Sequence, residues 1–208
     1  MTQWQVHQPL TLHINGLTCG RGGMALVKGL TLSLPHGKGL LLRGANGAGK
    51  STLLLTLAGM MSPMAGTIVL EGHDPDNGPV VHYCGHRNAV RPRLTVFQTL
   101  DFWAAANGRT GMDPMAALDR VGLGAQAKLD AGYLSAGQQR RLALARLLVS
   151  ARPLWLLDEP SAALDAEGQA LLDTLLADHL AANGLAVVAT HETGIVPGFS
   201  ELTLGSAP

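Results

Sequence analysis

The chain has 208 residues, enough for one α/β domain or two very small ones, and about 70% of the unfolded surface of a chain this size becomes buried on folding. Basic and acidic side chains cancel at 15 each, so no bulk field draws the molecule to nucleic acid or anionic lipid, and no nucleic-acid partner is expected. Hydrophobic residues make up 47% and charged residues 14%, which excludes a disordered, solvating chain. Cys19 and Cys84 lie far apart with no CxxC pair, which argues against a disulfide scaffold or a zinc site and for a reducing compartment.

In chain order, residues 1–12 hold His7 and several glutamines but no basic start followed by an apolar run, so no secretory signal is expected. Apolar runs at 30–34 and 39–43 are the first strand candidates. The uncharged stretch 51–70 has the length of a bilayer span, but Gly59, Ser62-Pro63 and Gly66 cut it into a helix (51–58), a turn and a strand (67–70), so a soluble α/β unit is expected instead. Further strands are expected at 80–83, 154–157 and 185–189, and helices at 50–58, 96–106, 114–121, 137–149 and 166–182. In the last helix Leu171, Leu172, Leu175, Leu176 and Leu180 form an apolar face. Asp165 is placed to cap its start, Glu167 complements the helix dipole, and Asn183-Gly184 supplies the stop. The runs 154–157 and 185–189 show no alternation, as expected of strands covered on both faces of a mostly parallel sheet. Strands dominate the beginning whereas 96–149 is nearly all helix, which suggests an inserted helical lobe.

Three segments carry chemistry. Gly44-Ala45-Asn46-Gly47-Ala48-Gly49-Lys50-Ser51 fits G-x-x-x-x-G-K-[ST] in strand, loop, helix context. Small residues let consecutive backbone N–H groups turn inward around phosphate oxygens, and the positive end of the next helix points at the same place. Lys50 would then neutralise β- and γ-phosphate charge, Ser51 would offer a hydroxyl to Mg²⁺, and Thr52 would help hold the α-phosphate end. The competing reading is a glycine-rich turn before a core helix. The apolar run 154–157 ends in Asp158 and Glu159; Asp158 would reach the Mg²⁺ shell and Glu159 would act as general base for an attacking water, against the alternative of a buried strand ending in solvated charges. Leu134-Ser135-Ala136-Gly137-Gln138 opens another helix with Ser135 as N-cap, either an anion-binding helix end or an ordinary start signal.

Taken together, these segments resemble the nucleotide-binding subunits of ABC transporters. GANGAGKS is similar to the Walker A loop, LSAGQ to the family signature, LWLLDE to Walker B, Ser161-Ala162-Ala163-Leu164-Asp165 to the D-loop, and Thr190-His191 to the switch histidine, in the family's order over nearly the whole chain. The resemblance implies an α/β P-loop NTPase with a RecA-like, mainly parallel sheet, an N-terminal antiparallel β region and an inserted helical lobe. The single ATPase domain would have its core at 1–85 and 150–208 and its lobe at 86–149. It also implies ATP and Mg²⁺ as ligands, and a head-to-tail homodimer in which each ATP lies between the Walker A of one copy and Ser135, Ala136, Gly137 and Gln138 of the other. His191 would contact the γ-phosphate and hold Glu159 and the water in line.

Within that family the closer resemblance is to the ATP-binding subunit of the cytochrome c biogenesis complex, on LSAGQQRRLALARL, on Tyr83-Cys84-Gly85-His86, and on the short tail after His191, which is expected to hold no regulatory domain. This implies two membrane-embedded permease subunits and a haem chaperone as partners at the cytoplasmic face of the bacterial inner membrane. The chain departs from the family pattern in two places. His86 stands where most members have the Q-loop glutamine, as a neutral acceptor, a pH-sensitive replacement or a plain loop histidine. No aromatic is present over 15–26 to stack on adenine, so Arg21 is the candidate substitute, against the alternative of a plain exposed arginine in a glycine-rich turn. In the lobe, where a partner would dock, Trp103 and Phe97 are expected to be mostly buried and the loop with Arg87, Arg91 and Arg93 to face the partner. No C-x-x-C-H segment attaches haem, and His82 and His86 share no helical face. A sibling transporter subunit for another substrate is the strongest alternative. A soluble non-transport ABC ATPase would need a second module or a coiled-coil insertion, and a GTPase would need an N-K-x-D segment; the sequence has none of these.

Overall fold

The computed structural model describes residues 6–74, 76, 78–191 and 197–205. The chain forms two compact units: one comprises 1–85, 152–159 and 176–208, the other 86–151 and 160–175.

Unit 1 holds all the named strands. A three-stranded antiparallel sheet, in order β2-β1-β4, is built from β1 (Thr11–Arg21), β2 (Met24–Pro35) and β4 (Ala65–Glu71). A five-stranded parallel sheet, in order β5-β6-β7-β3-β8, is built from β3 (Gly39–Arg43), β5 (Val81–Cys84), β6 (Leu154–Asp158), β7 (Leu185–Ala189) and β8 (Phe199–Thr203). The strands expected at 39–43, 154–157 and 185–189 are present, and β6 and β7 are buried at every position, as their unbroken apolar runs require. Helix α1 (Lys50–Leu57) follows β3. The core packs Leu12, Ile14 and Leu17 of β1 with Leu40 and Leu42 of β3, Leu53 and Leu54 of α1, and Leu156 and Val187 of β6 and β7. Cys19 of β1 belongs to the same core, and both Cys19 and Cys84 are free thiols buried from solvent. The stretch 51–70, long enough for a bilayer span, forms α1, a turn and β4, and among the described residues no helix is long and apolar enough to cross a membrane.

Strand β1 was not expected from the sequence. Its register with β2 shifts between Ile14 and Leu17 and again on either side of Cys19, so bulges break the alternation that marks a strand. Strand β8, also unexpected, lies at the sheet edge with an exposed, polar sequence.

Unit 2 contains α2 (Val96–Asn107), α3 (Pro114–Arg120) and α4 (Ala136–Leu148), with 3₁₀ turns at 124–126 and 131–133. Caps start these helices: Thr95 and Gln98 form a capping box on α2, and Asp113 accepts from Met115 and Ala116 before Pro114 opens α3. Val96, Thr99, Leu100 and Ala104 take the inner face of α2 at helical spacing. That leaves Phe97 37% exposed, and it corrects the expectation that Phe97 is mostly buried. Trp103 is half-buried beneath the Arg146 guanidinium, 3.8 Å from its ring centre, and Arg91 lies 4.0 Å over the exposed Phe102 ring.

Helix α5 (Ala166–Ala181) begins as expected, with Asp165 Oδ1 accepting from Gly168 N–H at 2.8 Å. Its stop divides between two residues. Asn183 takes the left-handed turn at φ 65, while Gly184 has no room for a side chain, because a Cβ there would sit 2.3 Å from the His179 ring. His179 is fully buried, stacks on Trp155 at 3.9 Å and 9°, and lies 3.1 Å by Nε2 from Leu185 O. Burial pushes its imidazole down to about 3.

Candidate functional site

Three neighbouring parallel strands end at the same level. In register, Leu42 of β3 pairs with Ala189 of β7, and Ala189 pairs with Asp158 of β6. Ligands in open α/β sheets bind outside such carboxyl ends, and the expected phosphate loop, acid pair and switch histidine follow these three strands. The loop is shaped by its glycines. Gly44 sits at φ 134, and a Cβ there would come 2.5 Å from Leu204 O. Gly49, at φ 100, begins α1 with no side-chain cap, and its own missing Cβ would stand 3.0 Å from Leu26 Cβ. The first amides of α1 therefore have no side-chain acceptor at the N-cap, which suits an anion. Ala45, Asn46 and Gly47 are exposed at the loop tip, Ala48 is half-buried, Ser51 is exposed and Thr52 is buried.

Lys50 is nearly buried and folds back over its own loop, its Nζ donating to Gly44 O at 2.7 Å and Ala45 O at 3.3 Å. The same Nζ lies 3.1 Å from His191 Nε2, which lies 3.3 Å from Glu159 Oε1. With a lone pair Nε2 accepts from lysine, and with a proton it donates to glutamate, so this one atom can bond either the cation or the carboxylate. Asp158 is buried at the end of β6, and burial together with the Asp158 carboxylate pushes the neighbouring Tyr83 phenol up. Glu159 donates its N–H to Ala189 O at 2.9 Å and holds φ 48, a left-handed conformation uncommon for a residue with a Cβ. Arg21 is exposed at the β1–β2 turn opposite Met24, near enough to Tyr83 to act on its phenol.

The signature segment lies in unit 2. Ser135 accepts from Gln138 N–H at 3.2 Å, and the Gln138 side chain accepts from Ser135 N–H at 3.0 Å, a complete capping box. Ala136 is exposed, so its methyl is accommodated where the family signature usually has glycine. Gly137 has no such latitude, since a Cβ there would come 2.9 Å from Ala163 O. Ser135, Gly137, Gln138, Arg141, Ala163 and Asp165 line a pocket of about 410 Å³. Arg141 closes one wall by ion pairs to Asp165 at 3.0 Å and Glu167 at 3.3 Å. The Gly168 N–H, with Arg141, holds the Asp165 carboxyl below the usual range. His86 is exposed and begins unit 2.

The geometry thus joins Lys50, His191 and Glu159 directly, and separately joins Ser135, Gly137 and Gln138 with Asp165. Sequence reasoning missed Arg140 and Arg141. The available signal was two consecutive arginines in the second turn of a helix otherwise apolar enough to be core.

Residues 27–162 match the ABC transporter family. The chain is 49% identical over 196 residues, 92% of its own length and 96% of the relative's, to the "Cytochrome c biogenesis ATP-binding export protein CcmA" of Rhodopseudomonas palustris strain HaA2. It is 42% identical over 95% of its length and 99% of the relative's to the protein of that name from Chelativorans sp. strain BNC1. Among solved structures, an ABC transporter ATP-binding protein from Pyrococcus furiosus has the same fold, with a TM-score of 0.80 at 24% identity over 92% of this chain and 97% of that one. A dimeric ATP-binding cassette in a post-hydrolysis state, bound to ADP and Pi, also shares the fold, with a TM-score of 0.76 at 22% identity over 93% of this chain and 96% of that one. A family match running from the second strand through the acid pair, with relatives that align almost end to end, leaves one assignment: this chain belongs to the ABC transporter family.

Proposed function

We propose that this chain is the ATP-hydrolysing subunit of an ABC transporter complex for c-type cytochrome biogenesis. It works as a pair of identical copies that energise two membrane-embedded permease subunits, with a haem chaperone system as the further partner, at the cytoplasmic face of the bacterial inner membrane. The observation that carries the catalytic reading is the meeting of Lys50, His191 and Glu159 at the ends of three adjacent strands. The transport reading is supported by near-full-length likeness to export proteins named for cytochrome c biogenesis.

The side chains divide the work. The amides of the glycine loop and the start of α1 receive the triphosphate, and Lys50 leaves Gly44 O and Ala45 O to neutralise β- and γ-phosphate oxygens. Glu159 takes a proton from water as the water oxygen bonds to the γ-phosphorus and the bond to the bridging oxygen breaks, so ATP and water give ADP and phosphate. His191, already within reach of Glu159, keeps carboxylate and water aligned. The Ser51 hydroxyl and Asp158 carboxylate are hard oxygen donors suited to Mg²⁺, which when bound offsets phosphate charge. Ser135 and Gly137 of the second copy complete the pocket around the triphosphate, and Arg21 stacks on the base.

Replacing the chain in its host with a Glu159→Gln copy tests both halves. Holocytochrome c content is expected to fall with ATPase activity. Undiminished c-type cytochromes would point to a sibling transporter, and a specific activity that does not change when the purified protein is diluted to single copies would exclude the paired site.

A further inference from the structure

Arg140 is the largest charged side chain among the fully buried residues, at 1% exposure on α4. Its Nε donates to Pro160 O at 2.8 Å and its Nη1 to Asn88 Oδ1 at 3.1 Å. Both partners belong to the same compact unit as the arginine. Pro160 is the residue covalently after Glu159, and Asn88 comes two residues after His86. The guanidinium therefore grips the two segments that leave the expected general base and the Q-loop position.

The Glu159–Pro160 step needs such a grip. A residue before proline is pushed toward extended backbone, yet Glu159 holds φ 48. Its own N–H is fixed to Ala189 O. On the other side proline has no N–H, so of Pro160's own backbone groups only the carbonyl can be anchored, and a rigid, charged donor takes it. The next stretch is held as well, with Leu164 N–H on Ser161 O and Asp165 on Arg141. Adjacent arginines of the signature helix thus hold both ends of the segment that follows Glu159.

We infer that Arg140 is a positioning residue for hydrolysis: its buried guanidinium, braced by Asn88, holds the Pro160 carbonyl and through it keeps Glu159 in the left-handed turn that aims its carboxylate. This deepens the proposed function and rests on the reading of Glu159 as the base.

The test uses the full-length protein and five variants: Arg140→Lys, which keeps the charge but loses the planar fork; Asn88→Ala, which keeps the arginine and removes its brace; Glu159→Gln; and the double variants Arg140→Lys/Glu159→Gln and Asn88→Ala/Glu159→Gln. ATP affinity and melting temperature establish that each is folded. A misplacement of about 1 Å costs about 10²-fold in rate. Arg140→Lys is expected to lower kcat by up to about that factor with KM and ATP affinity unchanged, and to add no further loss in the Glu159→Gln background. Asn88→Ala is expected to lower kcat by a smaller factor, again with KM unchanged and with no further loss in the Glu159→Gln background, and it decides alone if Arg140→Lys does not fold. A KM that changes in step with kcat, or a loss that adds in full to that of Glu159→Gln, would reduce Arg140 to a structural residue and overturn the inference. Normal turnover by Glu159→Gln itself would instead remove the base reading on which the inference stands.

Discussion

The phosphate loop and the signature segment both begin helices, yet their N-termini are finished differently. Helix α1 starts at Gly49 without a side-chain cap, so its first amides face outward with Lys50 beside them. Helix α4 starts at Ser135 with both arms of a capping box closed, and Ser135 and Gln138 already satisfy each other. An uncapped helix start with a nearby cation suits several phosphate oxygens, whereas the capped one keeps fewer donors, the Ser135 hydroxyl and the Ala136 and Gly137 amides that the box does not use. The acid and the histidine accompany only the first. On the proposed reading, the first region serves chemistry and the second recognition.

The largest break in that comparison is expected at Glu159. Glu159→Gln should still bind ATP and trap paired copies while phosphate release falls by about 10²- to 10⁴-fold; normal release would exclude Glu159 as the base. On the recognition side, Ser135→Arg should abolish pairing, and with it turnover, while nucleotide binding to the phosphate loop persists, as read by sedimentation with and without ATP. Because Ser135 also caps α4, Ser135→Ala should cost about 1 kcal/mol of stability and Ser135→Thr much less, so melting curves separate capping from pairing.

A further test probes the interior of the unit that holds the phosphate loop. His179 is held neutral with its folded value lowered to about 3 against an ordinary 6.5. The unfolded chain therefore binds more protons between those limits. Stability is fully present above about 6.5 and is lost as pH falls toward about 3, by an amount on the order of a few kcal/mol. Burial lowers His7 as well, and its ring meets His179 edge-on at 5.3 Å, so it adds in the same direction. His179→Phe should flatten the dependence of melting temperature on pH between 7.5 and 5; an unchanged slope would assign the effect elsewhere. The smallest effect is expected at the exposed His86, where His86→Gln should retain ATPase activity if the position does the usual Q-loop work; a dead variant would remove that reading.

Legibility in the sequence followed the range of the forces involved. Contiguous signals were readable: the glycine loop, the caps Ser135 and Asp165, and the unbroken apolar runs of β6 and β7. Strand β1 was not, because its bulges displace the alternation, and β8 was not, because an edge strand carries little hydrophobic imprint. In α2 aromatic character suggested burial, but helical spacing gave the inner face to Val96, Leu100 and Ala104 and left Phe97 outside. At the site, residue types announced Lys50, Glu159 and His191, whereas the left-handed turn at Glu159 and the arginine anchored beyond it depend on partners distant in sequence.

The two cysteines provide an internal clock. Both cysteines are buried, and burial pushes the Cys19 thiol up, away from its reactive form. A thiol-directed dye can therefore enter only when the structure around each cysteine opens, the core of unit 1 at Cys19 and the end of edge strand β5 at Cys84. Its labelling rate times that opening, and slower labelling in the presence of ATP would measure how far nucleotide holds these places closed.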